Sequence, residues 1–180
     1  VSLSDHDLLA RALADDDRHA FGELVRRHQS VVRAFLRRLT GGQHAQADDL
    51  AQEAFLEAHR QLAKFRGDAA FGTWLLGIAY NRFRTARRRE RPTEELTDEM
   101  GGMDGAAEPF TATEDLKHDV AHALGRLTPD ERAAIHLCFG EGLSHQQAAE
   151  VLGSPLGTVK THIFRAKDKL RVHLRAWAPT

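Results

Sequence analysis

The chain has 180 residues, 42% of them apolar and 28% charged, which supplies one or two small cores and excludes a disordered or fibrous protein. Its net charge of −1 hides a split: residues 1–91 carry +4, residues 92–115 carry −8, and residues 116–180 carry +3. The single cysteine, Cys138, excludes an internal disulfide framework and a cysteine-based structural zinc site, and it fits a reducing cytoplasm. No apolar run approaches the ~18–20 residues that span a bilayer. The opening VSLSDHDLLARAL lacks the apolar stretch of a secretory signal. A chain that opens on Val1 is expected to lack its initiator methionine.

The periodicity is helical throughout, and no strand pattern competes with it. Ser4 with Asp7 three residues on predicts a short capped first helix. A longer helix is expected after Asp17, with Phe21, Leu24, Val25, Val31, Val32, Phe35, Leu36 and Leu39 inward and Gly41-Gly42 as its stop. A third helix is expected from about Ala47, with Leu50, Ala54, Phe55, Ala58 and Leu62 as its apolar stripe. Arg66-Gly67-Asp68 reads as a loop. A fourth helix is expected from about Ala70 to Arg88, with Phe71, Trp74, Leu75, Ile78 and Ala79 on one face. Trp74 on that face reads as core.

Residues 92–115 contain eight acids, no base, Pro92, Pro109 and three glycines. Low hydrophobicity, high charge and helix breakers describe a flexible linker. The alternative is an ordered acidic loop packed on one domain.

The last block is helical again. Leu116, Val120, Leu124 and Leu127 mark one helix. Thr128-Pro129-Asp130-Glu131 offers an N-cap, a proline at the first helical position and a capping-box glutamate for the next. That helix carries Ile135, Leu137, Cys138 and Phe139, and it is expected to stop at Gly140-Glu141-Gly142. The fold class expected is all-α: two small helical domains, residues 1–91 and 116–180, joined by the acidic linker 92–115.

Residues 144–175 carry the most chemistry. Ser144 and Gln147 cap a short helix whose face is Ala148, Ala149, Val151 and Leu152, and Gly153 ends it. Ser154-Pro155 starts another at once. Two helices across so short a glycine turn make a helix-turn-helix. Leu156, Val159, Ile163, Ala166 and Leu170 repeat at helical spacing and should face the core, leaving Thr158, Lys160, Thr161, His162, Phe164, Arg165 and Lys169 elsewhere. Pro155–Arg175 carries a net +5. Such a helix places its first turns against base edges and its flanking bases against phosphates.

A second basic run, Arg82, Arg84, Arg87, Arg88, Arg89 and Arg91, continues the helix bearing Trp74, Tyr80, Asn81 and Phe83. A solvated face would explain it alone. Aromatics and an amide beside arginine also suit strand-separated DNA. His118 and His122 stand four apart near Asp115 and Asp119, but no third metal ligand accompanies them, and a solvated helix face is the expectation. Cys138 is expected to be buried and inert. No phosphate-cradling loop or nucleophile motif is present, so no catalysis, cofactor, metal or small-molecule substrate is expected.

These residues resemble a family. AFGELVRRH (Ala20–His28) and the stretch Ala47–Arg89, beginning ADDLAQEAF, are similar to the sigma-2 domain of extracytoplasmic-function (ECF) sigma factors of bacterial RNA polymerase. Leu124–Leu170 is similar to their sigma-4 domain. The resemblance covers nearly everything but the linker. It implies an alternative, signal- or stress-responsive sigma factor, cytoplasmic and monomeric when free, with promoter DNA and core polymerase (β′ clamp helices and β flap) as partners. It further implies control by an anti-sigma factor, of a kind often membrane-bound. By the same resemblance, Asp49, Gln52 and Glu53 bind the clamp helices. Phe65, Ala70, Phe71, Asn81, Arg84, Arg87 and Arg88 read the melted −10 strand, with the loop and Asn81 receiving a flipped base. Ser154, Thr158, Lys160, Thr161, Phe164 and Arg165 read the −35 duplex, with His162 where the family often has arginine. The acidic linker replaces the third domain of larger sigma factors and threads the polymerase. The macrodipole of the third helix is a rival explanation for Asp48 and Asp49.

GTVKTH also looks like the recognition helix of LuxR-type activators, which act without being polymerase subunits. Those usually carry an α/β receiver or ligand domain at the N-terminus, whereas this block is all helical and holds DDLAQE.

Overall fold

A computed structural model describes residues 3–14, 17–90 and 112–175, with the side chains of residues 112–118 left aside. The linker residues 92–111, Arg91 and the His118 half of the His118/His122 pair lie outside the described residues. The elements run α1 (Asp5–Ala14), α2 (Arg18–Leu39), α3 (His44–Gln61), a 3-10 turn (Leu62–Lys64), α4 (Phe71–Glu90), α5 (Ala112–Gly125), α6 (Pro129–Ile135), a π turn (His136–Gly140), α7 (His145–Leu152) and α8 (Leu156–His173). No strand occurs among the described residues. α1–α4 belong to one compact unit, and α5, α6 and α8 to a second.

The expected caps form. Ser4 Oγ accepts from the Asp7 N–H at 3.2 Å, and the Asp7 carboxylate accepts from the Ser4 N–H at 3.0 Å. Asp17 accepts from the N–H groups of His19 and Ala20, opening α2. Thr128 and Glu131 form the reciprocal box at α6, and Ser144 and Gln147 form the one at α7. Each such cap contributes about 0.5–2 kcal/mol. The start of α3 differs: it opens at His44, three residues before the expected Ala47, behind Gln43, whose side chain caps nothing. α5 begins at Ala112, inside the stretch expected to be linker.

α2 is the spine of the first unit and packs on α1, α3 and α4. Leu24, Phe35, Leu36 and Leu75 lose all contact with solvent in its core. Burying each such side chain contributes about 1.5–3 kcal/mol. Across the surface, Arg27 donates to both Glu23 and Asp5, tying α1 to α2.

In the second unit α8 packs on α5 and α6. Leu137, Val159 and Ala166 are fully buried there. The Arg132 guanidinium donates to the carbonyls of Leu124, Gly125 and Leu127, satisfying acceptors that the end of α5 leaves open. Beyond Ile135 the helix widens into the π turn, where the buried His136 ring lies 3.1 Å from Glu141. A Cβ at Gly140 would come within 2.6 Å of that ring. Cys138, expected to be buried, is half-exposed, and burial pushes its thiol above the ordinary value despite the opposing charge of Lys167.

Candidate functional site

Three surfaces carry the residues singled out by sequence. The first is one face of α3. Asp49, Gln52 and Glu53 are exposed at helical spacing, and Leu56, 59% exposed, continues the same stripe. None of the four makes a hydrogen bond or ion pair among the described residues. Behind them Ala47, Leu50, Ala51, Ala54 and Ala58 are buried, so the stripe is the outer side of a helix held firmly from within. Asp48 is different. Arg33 and Arg37 of α2 approach its carboxylate at 3.6 and 3.4 Å. That exposed ion pairing engages Asp48 and leaves Asp49 unengaged. Leu56 was missed by sequence reasoning, because an isolated leucine beside Phe55 reads as core.

The second surface starts at the loop between the 3-10 turn and α4. Phe65, Phe71 and Trp74 form an aromatic cluster, with ring centroids 5.1 Å apart for Phe65–Trp74, 5.8 Å for Phe65–Phe71 and 5.7 Å for Phe71–Trp74. Phe71 is buried, Phe65 and Trp74 are half-buried, and Ala70 is exposed. Trp74, expected in the core, is therefore partly exposed, while Phe71 beneath the cluster is buried. Asn81 is exposed two turns further along α4, about 10 Å from Trp74 along the axis at 1.5 Å per residue. Loop and amide are thus two points on one track along α4.

The arginines of α4 separate by role. Arg82 is bound to Glu57 of α3 at 2.9 Å. Glu57 also pairs with Arg60 and accepts from Gln61, and these neighbours hold its carboxyl below the ordinary value despite burial. Arg84 lies 5.9 Å above the ring of buried Tyr80, a cation–π arrangement that aims the guanidinium. Arg87 is half-buried, and Arg88 and Arg89 are exposed. With Asn81 and Thr85 they make the basic end of the helix.

The third surface is α8. Gly153, at φ +57°, closes α7, and the Ser154 N–H donates to the Ala149 carbonyl at 3.1 Å. This turn needs the left-handed conformation that glycine adopts without strain. Pro155 follows at the N-cap position. Val159, Ile163 and Ala166 face inward. Thr158, Lys160, Thr161, Phe164 and Arg165 all face solvent, and Phe164 is 73% exposed. Thr161 Oγ1 donates to the Gly157 carbonyl. Ser154 and His162 are half-buried. Lys169, expected off the core face, reaches back 2.8 Å to the buried Glu131. Lys167 stands 4.5 Å over the exposed ring of Phe139.

Among the described residues no group of three or more His, Cys, Asp or Glu could hold a metal. None of the described helices is long and apolar enough to cross a membrane.

Comparison with known proteins follows these surfaces. The Sigma-70 region 2 family model matches residues 24–93, and the Sigma-70, region 4 model matches residues 117–170. The ECF RNA polymerase sigma-E factor of Haemophilus influenzae is 33% identical over 181 residues, covering 93% of this chain and 94% of that protein. The ECF RNA polymerase sigma factor SigM of Mycobacterium tuberculosis is 39% identical over 169 residues, covering 93% and 83%. Two solved structures share the fold. CnrH in complex with the cytosolic domain of CnrY superposes with a TM-score of 0.68 at 32% identity, covering 97% of this chain and 99% of that one. The sigma factor RpoE in complex with the anti-sigma factor NepR from Bartonella quintana gives 0.66 at 25% identity, covering 86% and 96%. The first matched stretch contains the α3 stripe and the α4 track, and the second contains nearly all of the exposed side of α8.

Proposed function

The chain belongs to the extracytoplasmic-function sigma factors of bacterial RNA polymerase, and from that membership we propose how its surfaces divide the work of promoter recognition. It is an alternative sigma factor, and the LuxR-type reading is set aside. In the proposed division the sigma-2 role falls to residues 1–91, the linker role to residues 92–115 and the sigma-4 role to residues 116–180, with α5 extending that last domain back to Ala112.

Asp49, Gln52 and Glu53 hold the β′ clamp helices. The observation that carries this reading is that these polar groups stand unengaged on a rigid helix while the neighbouring Asp48 is consumed by Arg33 and Arg37. An acidic stripe that ends on an exposed leucine suits a basic helical partner.

The melted −10 strand runs along α4. One unstacked base lies against Phe65, over the floor of Phe71 and beside Ala70. Base extrusion costs a few kcal/mol, which stacking on an aromatic ring offsets by about 1–3 kcal/mol. The strand then passes Asn81, while Arg84, Arg87 and Arg88 neutralise phosphates.

The −35 duplex takes the exposed side of α8 in its major groove. Ser154 and Thr158 meet the backbone at the entry of the helix. Lys160, Thr161, Phe164 and Arg165 meet base edges, Arg165 as a guanine reader and Thr161 or Phe164 against a thymine methyl. The sigma-4 domain also docks on the β flap.

CnrH and RpoE were each solved with a protein partner, and RpoE's is an anti-sigma factor. This chain is held inactive in the same manner by an anti-sigma factor, of a kind often membrane-bound, which covers the stripe and the basic faces until a signal releases it. It acts in the cytoplasm, as a monomer when free, with no catalytic chemistry of its own. Run-off transcription by purified core polymerase on a library of genomic promoters tests the reading. Starts that need this chain and share two spaced motifs support it. No starts, with tight palindromic duplex binding by the chain alone, would overturn it.

A further inference from the structure

We infer that His28 of α2 is a positioning residue for the −10 base, linking the N-terminal helix α1 to the aromatic hollow at the head of α4. This deepens the −10 assignment above and rests on it.

The geometry is a chain of contacts through four elements. Asp5 lies in the first turn of α1, and His28 Nε2 lies 2.7 Å from its Oδ2. An ionised carboxylate only accepts, so Nε2 carries the proton and donates. Burial alone would raise the Asp5 carboxyl, but hydrogen bonds from His28 and Arg27 outweigh it and hold the group ionised. The other face of the imidazole is committed as well. Its ring meets Phe71, the first residue of α4, edge-on at 5.4 Å. A Cβ on Gly72 would lie 3.2 Å from His28 Nδ1, so the backbone there closes directly on the ring. The His28 side chain is only 20% exposed. Phe71 in turn supports Phe65 and Trp74.

His28 therefore fixes where α4 begins relative to α2, and with it the floor against which Phe65 packs. A base stacking on Phe65 needs that ring presented at one angle, and the contact with Trp74, 5.1 Å between centroids, sets it. Without the imidazole, Phe71 loses its edge contact and the loop before it loses its reference point. Asp5 anchors the imidazole from the far side, which gives α1 a part in reading a base it does not touch. Neither α1 nor His28 lies on the α3 stripe, so core binding is independent of this link.

The experiment uses holoenzyme formed from core polymerase and full-length protein. The probes are a single-stranded −10 oligonucleotide, from a promoter found by run-off transcription, and the same strand made abasic at each position in turn. The ratio of the two affinities measures base insertion. Trp74 emission, read in a Trp177→Phe background, reports the hollow directly. Expected results are that His28→Ala and Asp5→Ala each reduce the base-to-abasic ratio at least fivefold at one position and shift Trp74 emission, with core affinity within twofold of the parent. Asp5→Asn, which still accepts from Nε2, should restore most of the ratio. An unchanged ratio in His28→Ala, while Phe65→Ala lowers it, overturns this link and leaves the −10 assignment standing. An unchanged ratio in Phe65→Ala and Asn81→Ala overturns both. A fall in core affinity that parallels the ratio shows general loss of structure and also overturns the positioning role.

Discussion

Lys169 of α8 places its ammonium 2.8 Å from the Glu131 carboxylate, whose side chain is only 4% exposed in the first turn of α6. The same carboxylate accepts from the Thr128 N–H at 2.9 Å. One buried group thus closes a helix cap and fastens the recognition helix to its support. Glu131→Ala should lower the stability of the second unit by about 2–3 kcal/mol, since it removes the glutamate half of the capping box, leaving the Thr128 N–H without its acceptor, and leaves an ammonium without its partner. Urea unfolding followed by circular dichroism would measure this, and an unchanged midpoint would show that the pair carries no weight.

Adjacent aspartates on α3 should behave in opposite ways. Asp49→Ala is expected to weaken core polymerase binding about tenfold or more, with no change in melting temperature. Asp48→Ala should leave core affinity intact and shift melting only slightly, as exposed ion pairs do. Competition binding against a labelled parent separates them. Equal losses for both would mean that the Arg33–Asp48–Arg37 cluster belongs to the interface.

Arg165→Ala should reduce −35-dependent transcription by an amount equivalent to about 1–3 kcal/mol and relax base preference at one position, while core affinity stays constant. Lys160→Ala and Arg165→Ala compared on promoter variants would show which base each reads. Loss of core binding in Arg165→Ala would show that this side of α8 has another task.

Acid should loosen the first unit. Hydrogen bonds from Arg26 and Arg27 lower the Glu23 carboxyl from an ordinary 4.5 to about 2. A depressed folded value means that its contribution is fully present above about 4.5 and is lost as pH falls toward 2. Asp5 and Asp17, also lowered, act in the same direction. Thermal melts between pH 7 and pH 2 should therefore show falling stability through that window. Glu23→Gln should melt lower than the parent at pH 7 and lose part of the slope. A parallel pair of curves would exclude Glu23 as a contributor.

Much of this was legible in the sequence because caps are local. Ser4 with Asp7, Asp17, Thr128 with Glu131 and Ser144 with Gln147 each act within four residues, so spacing alone reveals them. The start of α3 was not legible, since Gln43 offers no capping side chain. The division between Asp48 and Asp49 was invisible too, because it is decided by Arg33 and Arg37 from another helix. Trp74 and Phe71 share an apolar face by periodicity, yet the loop carrying Phe65 leaves one partly exposed and buries the other. The π turn rests on His136 meeting Glu141 and on a missing Cβ at Gly140, and no helical period encodes that. The family motifs suggested which helices to consider, while tertiary contacts decided which side chains on them are unengaged.

The turn at Gly153 and the inward residues Val159, Ile163 and Ala166 hold α8 entirely from one side. The side chains of Thr158, Lys160, Phe164 and Arg165 take no part in that hold, since none of these side chains makes a hydrogen bond or ion pair among the described residues. The helix is in this sense a cassette: its frame and its vocabulary are written in different residues. On the proposed −35 reading, substitutions on the outer side should redirect the protein to new promoters without eroding its stability. A lineage that duplicates such a gene can thus diversify its regulatory circuits rapidly, and a designer can seek mutually insulated variants by rewriting four positions on an unchanged scaffold.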